Sequence, residues 1–289
     1  MRKAYGTYWN RIIERWGPRR LDEPKPIDIE AFAAEIRANA KVRANSRGGR
    51  SAAEHCVAAF RCLYKRAVAD ELITADRDPA ARVAKPRRAP TNRRALSDSR
   101  LEDIYEAAAS SGDDPELDSL IVRLHVETAC RRGGALALRP EDLDTEQCLT
   151  QLHEKGGTSR WQPVSPTLMS YLLGHGQRRG ATPGTPLLRY RDGRALTYRR
   201  YDGLFHRLRR QLPWAASINL SAHWLRHTTL TWVERNYGEA VSRRYAGHAE
   251  TGSSDAGTIA IYTKAELEEV AAALAMLTQE PHPLAPPHT

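Results

Sequence analysis

The sequence is poor in the features that mark exported, membrane-spanning and metal-binding proteins. It has only four cysteines and no CxxC pair, which argues against a disulfide framework or a zinc site and favours reduced thiols. No apolar run approaches the ~20 residues of a membrane span. The first residues, MRKAYGTYWNRIIERW, lack the apolar core of a signal peptide. We therefore expect a cytoplasmic protein.

Positive charge is concentrated in one part of the chain. The net charge is +9, and residues 1–94 hold 22 Lys and Arg against 11 Asp and Glu, whereas residues 95–289 hold 22 against 24. Lysine and arginine bind polyanions well, because they release counterions from phosphates. A merely soluble basic surface would have the same composition, so charge alone only favours a nucleic-acid partner.

The N-terminal third is predicted to be a small helical domain that ends in a linker. Hydrophobic spacing predicts helices within residues 1–78, at about 5–16, 27–43 and 51–73. Residues 79–94 are rich in proline and arginine, which is typical of a linker. Six basic residues in and before this linker are predicted to contact DNA phosphates: Arg47, Arg50, Arg87, Arg88, Arg93 and Arg94.

Residues 95–278 are predicted to form a second domain, mainly α with a small β-sheet. Polar alternation at 143–165 indicates a hairpin with its turn at Gly156-Gly157. The tail, 279–289, is expected to be disordered because it is short and rich in proline. Helices are predicted at about 97–110, 115–129, 166–179, 197–212, 224–236, 239–246 and 264–278.

Four segments of the second domain combine residue types that suit phosphoryl chemistry. They are TACRRGGALALRPEDLD (128–144), HEKGGTSRW (153–161), HWLRH (223–227) and GHAETGSSDAGTIAIYT (247–263). Taken singly, each has an ordinary structural explanation, such as a helix C-terminal cation or an exposed hairpin lysine. In chain order they supply Arg131, Lys155, His223, Arg226, His248 and Tyr262.

This ordered set resembles the tyrosine recombinase (phage integrase) superfamily, which includes Xer-like site-specific recombinases. The family's Thr-Gly-x-Arg motif is similar to Thr128-Ala129-Cys130-Arg131, although Gly134 stands where many relatives have an acidic residue. His-x-Leu-Arg-His is matched in full at 223–227, and Gly-His with a later Tyr-Thr is matched at 247–263. The resemblance covers roughly residues 5–278.

The resemblance implies an N-terminal core-binding domain of the SAM-like helical type and a C-terminal catalytic domain that together embrace DNA. It also implies a tetramer acting on inverted half-sites through a Holliday junction. Tyr262 would attack phosphorus to form a 3′-phosphotyrosine, a bond close in energy to the one broken. Arg131 and Arg226 would bind the phosphate oxygens, since guanidinium groups donate paired hydrogen bonds and stay charged.

The remaining roles concern protons. Lys155 would protonate the leaving 5′-oxygen, and His223 and His248 would take the tyrosine proton or bind a phosphate oxygen. This chemistry requires no metal and no other cofactor. Tyr237 and Tyr245 lie in the same region, but Tyr262 alone follows the histidine and precedes the final helix.

Two other functions fit the same residues. A topoisomerase-like enzyme would nick and reseal a single duplex, and a non-catalytic accessory protein would keep the fold to bind DNA. An apolar stripe of the final helix, Leu267, Val270, Leu274 and Leu277, can pack on its own domain or on a neighbouring protomer. The resemblance favours the neighbour, and a monomeric enzyme has less need of such a helix. The DNA target and the type of genetic element are left open.

Overall fold

The computed structural model describes residues 2–40, 48–84, 94–153, 157–247 and 266–286. It divides into two compact units, residues 1–92 and 93–289. Helices dominate both units and one small sheet lies in the second, so the prediction of a mainly α fold with a small sheet is confirmed. Among the described residues, none of the helices combines the length and apolar character that a membrane crossing requires.

The first unit is a helical bundle around an aromatic core. Trp16, Phe32 and Phe60 meet with ring centroids 5.2–5.6 Å apart. Ala80 and Val83, which open the predicted linker, are buried against this core. The helices are α1 (Arg2–Trp16), α2 (Pro26–Ala38) and α3 (Arg50–Ala69), followed by short 3-10 helices at Ala75–Arg77 and Ala80–Arg82.

The second unit is built around one buried helix, α5, whose residues from Leu117 to Thr128 are mostly enclosed. Asp114 caps its first turn by accepting from the Leu117 amide, which fits the preference for short acceptors at a helix start. The helices of this unit are α4 (Asp98–Ser110), α5 (Pro115–Thr128), α6 (Arg132–Ala137), α7 (Pro166–Arg178), α8 (Tyr198–Gln211), α9 (Pro213–Ser217), α10 (Ala222–Tyr245) and α11 (Leu267–Thr278), with a 3-10 helix at Pro140–Asp142.

The predicted hairpin is present as a three-stranded antiparallel sheet. Strands β1 (Leu143–Asp144), β2 (Leu149–His153) and β3 (Ser159–Pro163) pair in the order β1-β2-β3. The register sets His153 opposite Ser159. Gly157 adopts φ 82° just before β3, a backbone conformation that glycine allows without strain. The rest of the predicted turn, including Gly156 and Lys155, lies outside the described residues.

Helix α10 is interrupted at Gly238, which has φ 85° and ψ 170°. The two helices predicted at 224–236 and 239–246 therefore exist as two arms joined at this glycine. The kink turns the second arm so that Tyr245 is fully buried beside Val233 and Val270. The end of this arm, at Ala246 and Gly247, is thereby brought close to the end of α5.

The C-terminal part of the chain differs from one expectation. Helix α11 buries Val270, Ala273 and Leu274 within its own unit, whereas Leu267 and Leu277 of the predicted apolar stripe are half-buried. The tail is ordered through 286, whereas composition predicted disorder. Glu280 pairs with Arg123 at 2.5 Å, and His282 is buried. Two polar side chains thus give the tail partners that its proline content does not suggest.

Candidate active site

Arg131 lies in a sharp turn between α5 and α6. Helix α5 ends at Thr128, and Ala129 adopts the left-handed conformation with φ 47°. Arg131 then precedes α6 in an extended conformation, and its carbonyl oxygen accepts from the Ala135 amide at 3.1 Å. The side chain is half-buried. The turn therefore presents an arginine at the edge of the core without burying its charge completely.

His125 holds this turn from inside the core. Its Nδ1–H donates to the carbonyl oxygen of Cys130 at 3.1 Å, and its Nε2 lies 3.0 Å from the hydroxyl of Tyr201 on α8. Burial opposes ionisation of the Cys130 thiol, but His125 and, more weakly, Arg160 outweigh burial and lower its pKa. Sequence reasoning gave His125 no role, yet it fixes the residue immediately before Arg131.

Arg226 connects the first motif segment with the residue that directly precedes the last segment. It lies in the second turn of α10 and is only 4% exposed. One guanidinium nitrogen donates to the carbonyl oxygen of Ala129, and the other donates to that of Ala246 at 2.7 Å. Because Ala129 is two residues from Arg131 and Ala246 is two residues from His248, this one side chain brings the first and last motifs together. His223, one turn earlier on α10, is exposed.

Arg160 joins the same two segments and was not predicted. Its Nη2 donates to the carbonyl oxygen of Thr128 at 3.3 Å, and its Nη1 donates to Gln162. A Cβ at Gly247 would lie 2.3 Å from Cδ and Nε of Arg160, so the glycine allows a very close approach. The available signal was alternation: Arg160 and Gln162 share one face of β3, and Gln162 is buried.

Gly134, the departure from the family pattern, lies where α6 approaches β2. It is buried, and a Cβ at this position would be 3.4 Å from the carbonyl oxygen of His153. An acidic side chain here would extend towards the backbone of β2. The support that relatives derive from an acidic residue is therefore absent at this position. The turn at Ala129–Cys130 accepts hydrogen bonds from His125 and Arg226, and Arg160 lies beside it.

Two other tyrosines of the C-terminal region are unsuited to attack phosphorus. The hydroxyl of Tyr245 donates to the carbonyl oxygen of Glu127, and burial raises its pKa far above the ordinary value. The hydroxyl of Tyr237 donates to the carbonyl oxygen of Ala272 at 3.2 Å, and burial raises its pKa as well. Both hydroxyls are therefore engaged with backbone carbonyl oxygens.

The structure brings Arg131 and Arg226 to one turn and places His223 one helical turn from Arg226. Lys155, His248 and Tyr262 lie outside the described residues, as do Arg47, Arg87, Arg88 and Arg93. Arg50, at the start of α3, and Arg94 are exposed. Over the described part of the chain, no grouping of His, Cys, Asp and Glu side chains could hold a metal ion.

Comparisons with known proteins identify the family and the fold of the chain. The sequence model described as the phage integrase family matches residues 94–268. A comparison with curated proteins returns no match. Among solved structures, a lambda integrase tetramer bound to a Holliday junction is similar with a TM-score of 0.62 and 16% identity, over 90% of this chain and 75% of that one.

Two further solved structures have the same fold. XerH recombinase bound to palindromic difH substrate has a TM-score of 0.61 and 16% identity, over 79% of this chain and 67% of that one. The Tn1549 transposon integrase in complex with circular intermediate DNA has a TM-score of 0.61 and 16% identity, over 89% of this chain and 88% of that one. At these identities the likeness shows a common fold.

Proposed function

The chain belongs to the phage integrase family of tyrosine recombinases, and we propose that it is a cytoplasmic site-specific recombinase that cleaves and rejoins DNA through a 3′-phosphotyrosine. The observation that carries this proposal is the bridge made by Arg226. By donating to Ala129 and Ala246, it draws the turn of Arg131 and the chain entering His248 to one place. Such convergence is expected if residues of both segments act on the same phosphate group.

The proposed chemistry divides among the predicted residues. Tyr262 attacks phosphorus, and the bond to the 5′-oxygen breaks. Arg131 and Arg226 neutralise the charge that develops on the non-bridging oxygens, a contribution that typically changes the barrier by about 2.7–4 kcal/mol per donor. Lys155 supplies the proton to the leaving 5′-oxygen, while His223 and His248 accept the tyrosine proton or bind phosphate. Attack by the 5′-hydroxyl of another strand reverses the step.

The proposed partner is duplex DNA with inverted half-sites, bound by four protomers that exchange strands through a Holliday junction. Support comes from the related solved structures, in which lambda integrase is a tetramer on a Holliday junction and XerH is bound to a palindromic site. Two-fold related half-sites follow whenever protomers bind DNA with two-fold symmetry. Arg50 and Arg94, both exposed, belong to the basic set proposed to contact phosphates.

The cis packing of α11 favours a second candidate. The apolar face of that helix was the reason to prefer an assembly over a single-duplex enzyme. Since Val270, Ala273 and Leu274 are buried in their own unit, part of that face is covered without a neighbour, while Leu267 and Leu277 stay half-buried. A nick-and-reseal enzyme with the same phosphotyrosine chemistry therefore remains, and the experiment must separate the two outcomes.

Binding sites are first selected from a randomised duplex library, and nicked suicide duplexes are then built on the selected site. We expect a covalent protein–DNA adduct with the wild type and with Tyr245→Phe, and none with Tyr262→Phe, which should still bind. An adduct with Tyr262→Phe would refute the assignment. Plasmids carrying two selected sites should recombine. Relaxation of a one-site supercoiled plasmid without any recombination would instead establish the nick-and-reseal enzyme.

A further inference from the structure

The chain beyond α11 folds back onto the second unit through two polar side chains. Gln279 reverses the chain in a left-handed conformation, with φ 56°. The carboxylate of Glu280 accepts from Arg123 at 2.5 Å and from the Thr167 amide at 3.2 Å. His282 is buried, and its Nε2–H donates to the carbonyl oxygen of Cys148 at 3.1 Å. We call the contacts of Glu280 and His282 the C-terminal clasp.

Through Arg123, the clasp is linked to the buried carboxylate of Glu127, whose side chain is 3% exposed. One oxygen of Glu127 accepts from Arg123 at 2.6 Å and from the Ser165 hydroxyl at 3.0 Å, and the other accepts from the Ser165 amide at 2.9 Å. Arg123 thus lies between two carboxylates, one on α5 and one on the tail. Charge-assisted bonds of this kind are among the strongest in proteins.

Glu127 also contacts the end of α10, which precedes the last motif segment. Its backbone carbonyl oxygen accepts from the hydroxyl of Tyr245, the last residue of α10. Tyr245 precedes His248 by three residues, and α11 begins five residues after Tyr262. The described chain on either side of 248–265 is therefore tied to Glu127, on one side by Tyr245 and on the other through α11, Glu280 and Arg123.

Apolar packing at the end of α11 is incomplete, which leaves a role for these polar contacts. A cavity of about 560 Å³ lies between α4, α5, α10 and α11, and its lining includes Leu277, Gln279, Arg123 and Glu127. Side chains that face a pocket lack protein contacts on that side. The last turn of α11 is therefore held partly by the clasp that follows it.

We propose that Glu280 is a positioning residue. Together with Arg123 and Glu127, it fixes α11, which begins five residues after the predicted nucleophile Tyr262, relative to the turn of Arg131. Glu127 lies near the end of α5 and four residues before Arg131 in the sequence, so the turn of Arg131 and helix α11 share one reference point. This inference rests on the proposed function and concerns placement, since Glu280 bonds only to Arg123 and Thr167 among the contacts described above.

The test compares Glu280→Lys, which sets a second cation against Arg123, with Glu280→Gln, which keeps an oxygen acceptor for Arg123 and Thr167. Glu106→Lys, at an exposed position of α4, makes the same charge change as a control. We expect Glu280→Lys to slow adduct formation on the selected suicide duplex by about ten- to a hundred-fold, as for a misplaced reacting group. DNA affinity should be unchanged, and Glu280→Gln should restore most of the rate.

Hydrogen exchange supplies a second measurement that does not require catalysis. Opening the clasp should increase exchange at 266–278 and also at 239–247, because both lead to Glu127. If Glu280→Lys unfolds the protein in a thermal melt, Glu280→Ala takes its place in the same comparison.

The two measurements separate the clasp from the proposed function. A wild-type rate of adduct formation despite faster exchange at 266–278 would overturn the positioning role. Faster exchange confined to 266–278 would overturn the coupling through Glu127. Should the wild-type protein itself form no adduct, the proposed function fails, and exchange at 239–247 still decides whether the clasp links the two sides.

Discussion

Arg226 and Ala246 are joined by a hydrogen bond of 2.7 Å, from Nη2 of the arginine to the carbonyl oxygen. The same guanidinium donates to Ala129, so the side chain that the family pattern assigns to phosphate binding also ties the backbone together. A guanidinium has five N–H donors in a planar fork, which is enough to bridge two carbonyls and still face a ligand. Arg131 is half-buried in its turn, whereas Arg226 is only 4% exposed.

This difference in burial predicts different effects of substituting the two arginines. Arg226→Ala should slow cleavage by about 100-fold or more and also lower the melting temperature, because two buried carbonyls lose their donor. Arg226→Lys should fail to restore either property, since an ammonium lacks the planar fork. Arg131→Ala should slow cleavage to a similar extent with a smaller loss of stability, because Arg131 is less buried than Arg226. Near-normal cleavage by Arg131→Ala would mean that Gly134 marks a site in which this arginine has lost its role.

Lys155 can be separated from a bystander by changing the leaving group. A 5′-bridging phosphorothiolate departs as a thiolate and needs no proton. Lys155→Ala should therefore cleave normal suicide duplexes poorly and the sulfur-substituted duplexes much better, measured as initial rates of adduct formation. Equal impairment on both substrates would rule out the general-acid role and leave only contact with phosphate.

Gly247→Ala tests the close approach of Arg160. The new Cβ would lie 2.3 Å from Cδ and Nε of the arginine, and Gly247 has φ 59°. Displacing Arg160 should remove its bond to Thr128 and slow cleavage while DNA affinity is retained. Gly180→Ala is the matched control, because Gly180 has φ 69° with nothing within 4 Å. Both variants should lose about 1 kcal/mol from the left-handed backbone, and only Gly247→Ala should lose activity.

The buried side chain of His175 leads us to expect that the free energy of unfolding decreases at acidic pH. Burial, helped by the neighbouring Arg179, lowers its pKa from 6.5 to about 4, and its Nε2 accepts from the Arg189 amide at 3.1 Å. Between those pH values the unfolded chain binds a proton that the folded protein does not, so stability falls as pH decreases through this range. His175→Gln keeps an acceptor and removes the titration. Urea unfolding at pH 7 and pH 5 should show a smaller decrease for the variant than for the wild type.

The spacing of hydrophobic residues and the positions of glycine and proline were sufficient to predict most of the fold. The break before residue 239 is a single glycine, and Gly238 adopts a backbone conformation that few other residues tolerate. The hairpin followed from alternation next to glycines. The order of the tail could not be predicted in this way, because Glu280 and His282 find partners at Arg123 and Cys148, more than 130 positions away in the sequence.

The candidate site was predictable where the motifs are contiguous and not where partners come from separate elements. Arg131, His223 and Arg226 were predicted from their neighbours in the sequence, and the structure places all three at or near the turn that follows α5. Arg160 was missed because an arginine in a strand is ordinary until its partners are known, and those partners are a helix end at Thr128 and a turn at Gly247. His125 was missed for the same reason, since its bond to Cys130 exists only once the left-handed turn forms.

The C-terminal clasp changes how the codons after α11 should tolerate mutation. A stop codon directly after the codon for Thr278 would leave all six predicted catalytic residues encoded. It would nevertheless delete Glu280 and His282, leave Arg123 with one carboxylate instead of two, and uncover the carbonyl of Cys148. Nonsense alleles at the codons for Gln279 to His282 should therefore behave as partial loss-of-function alleles.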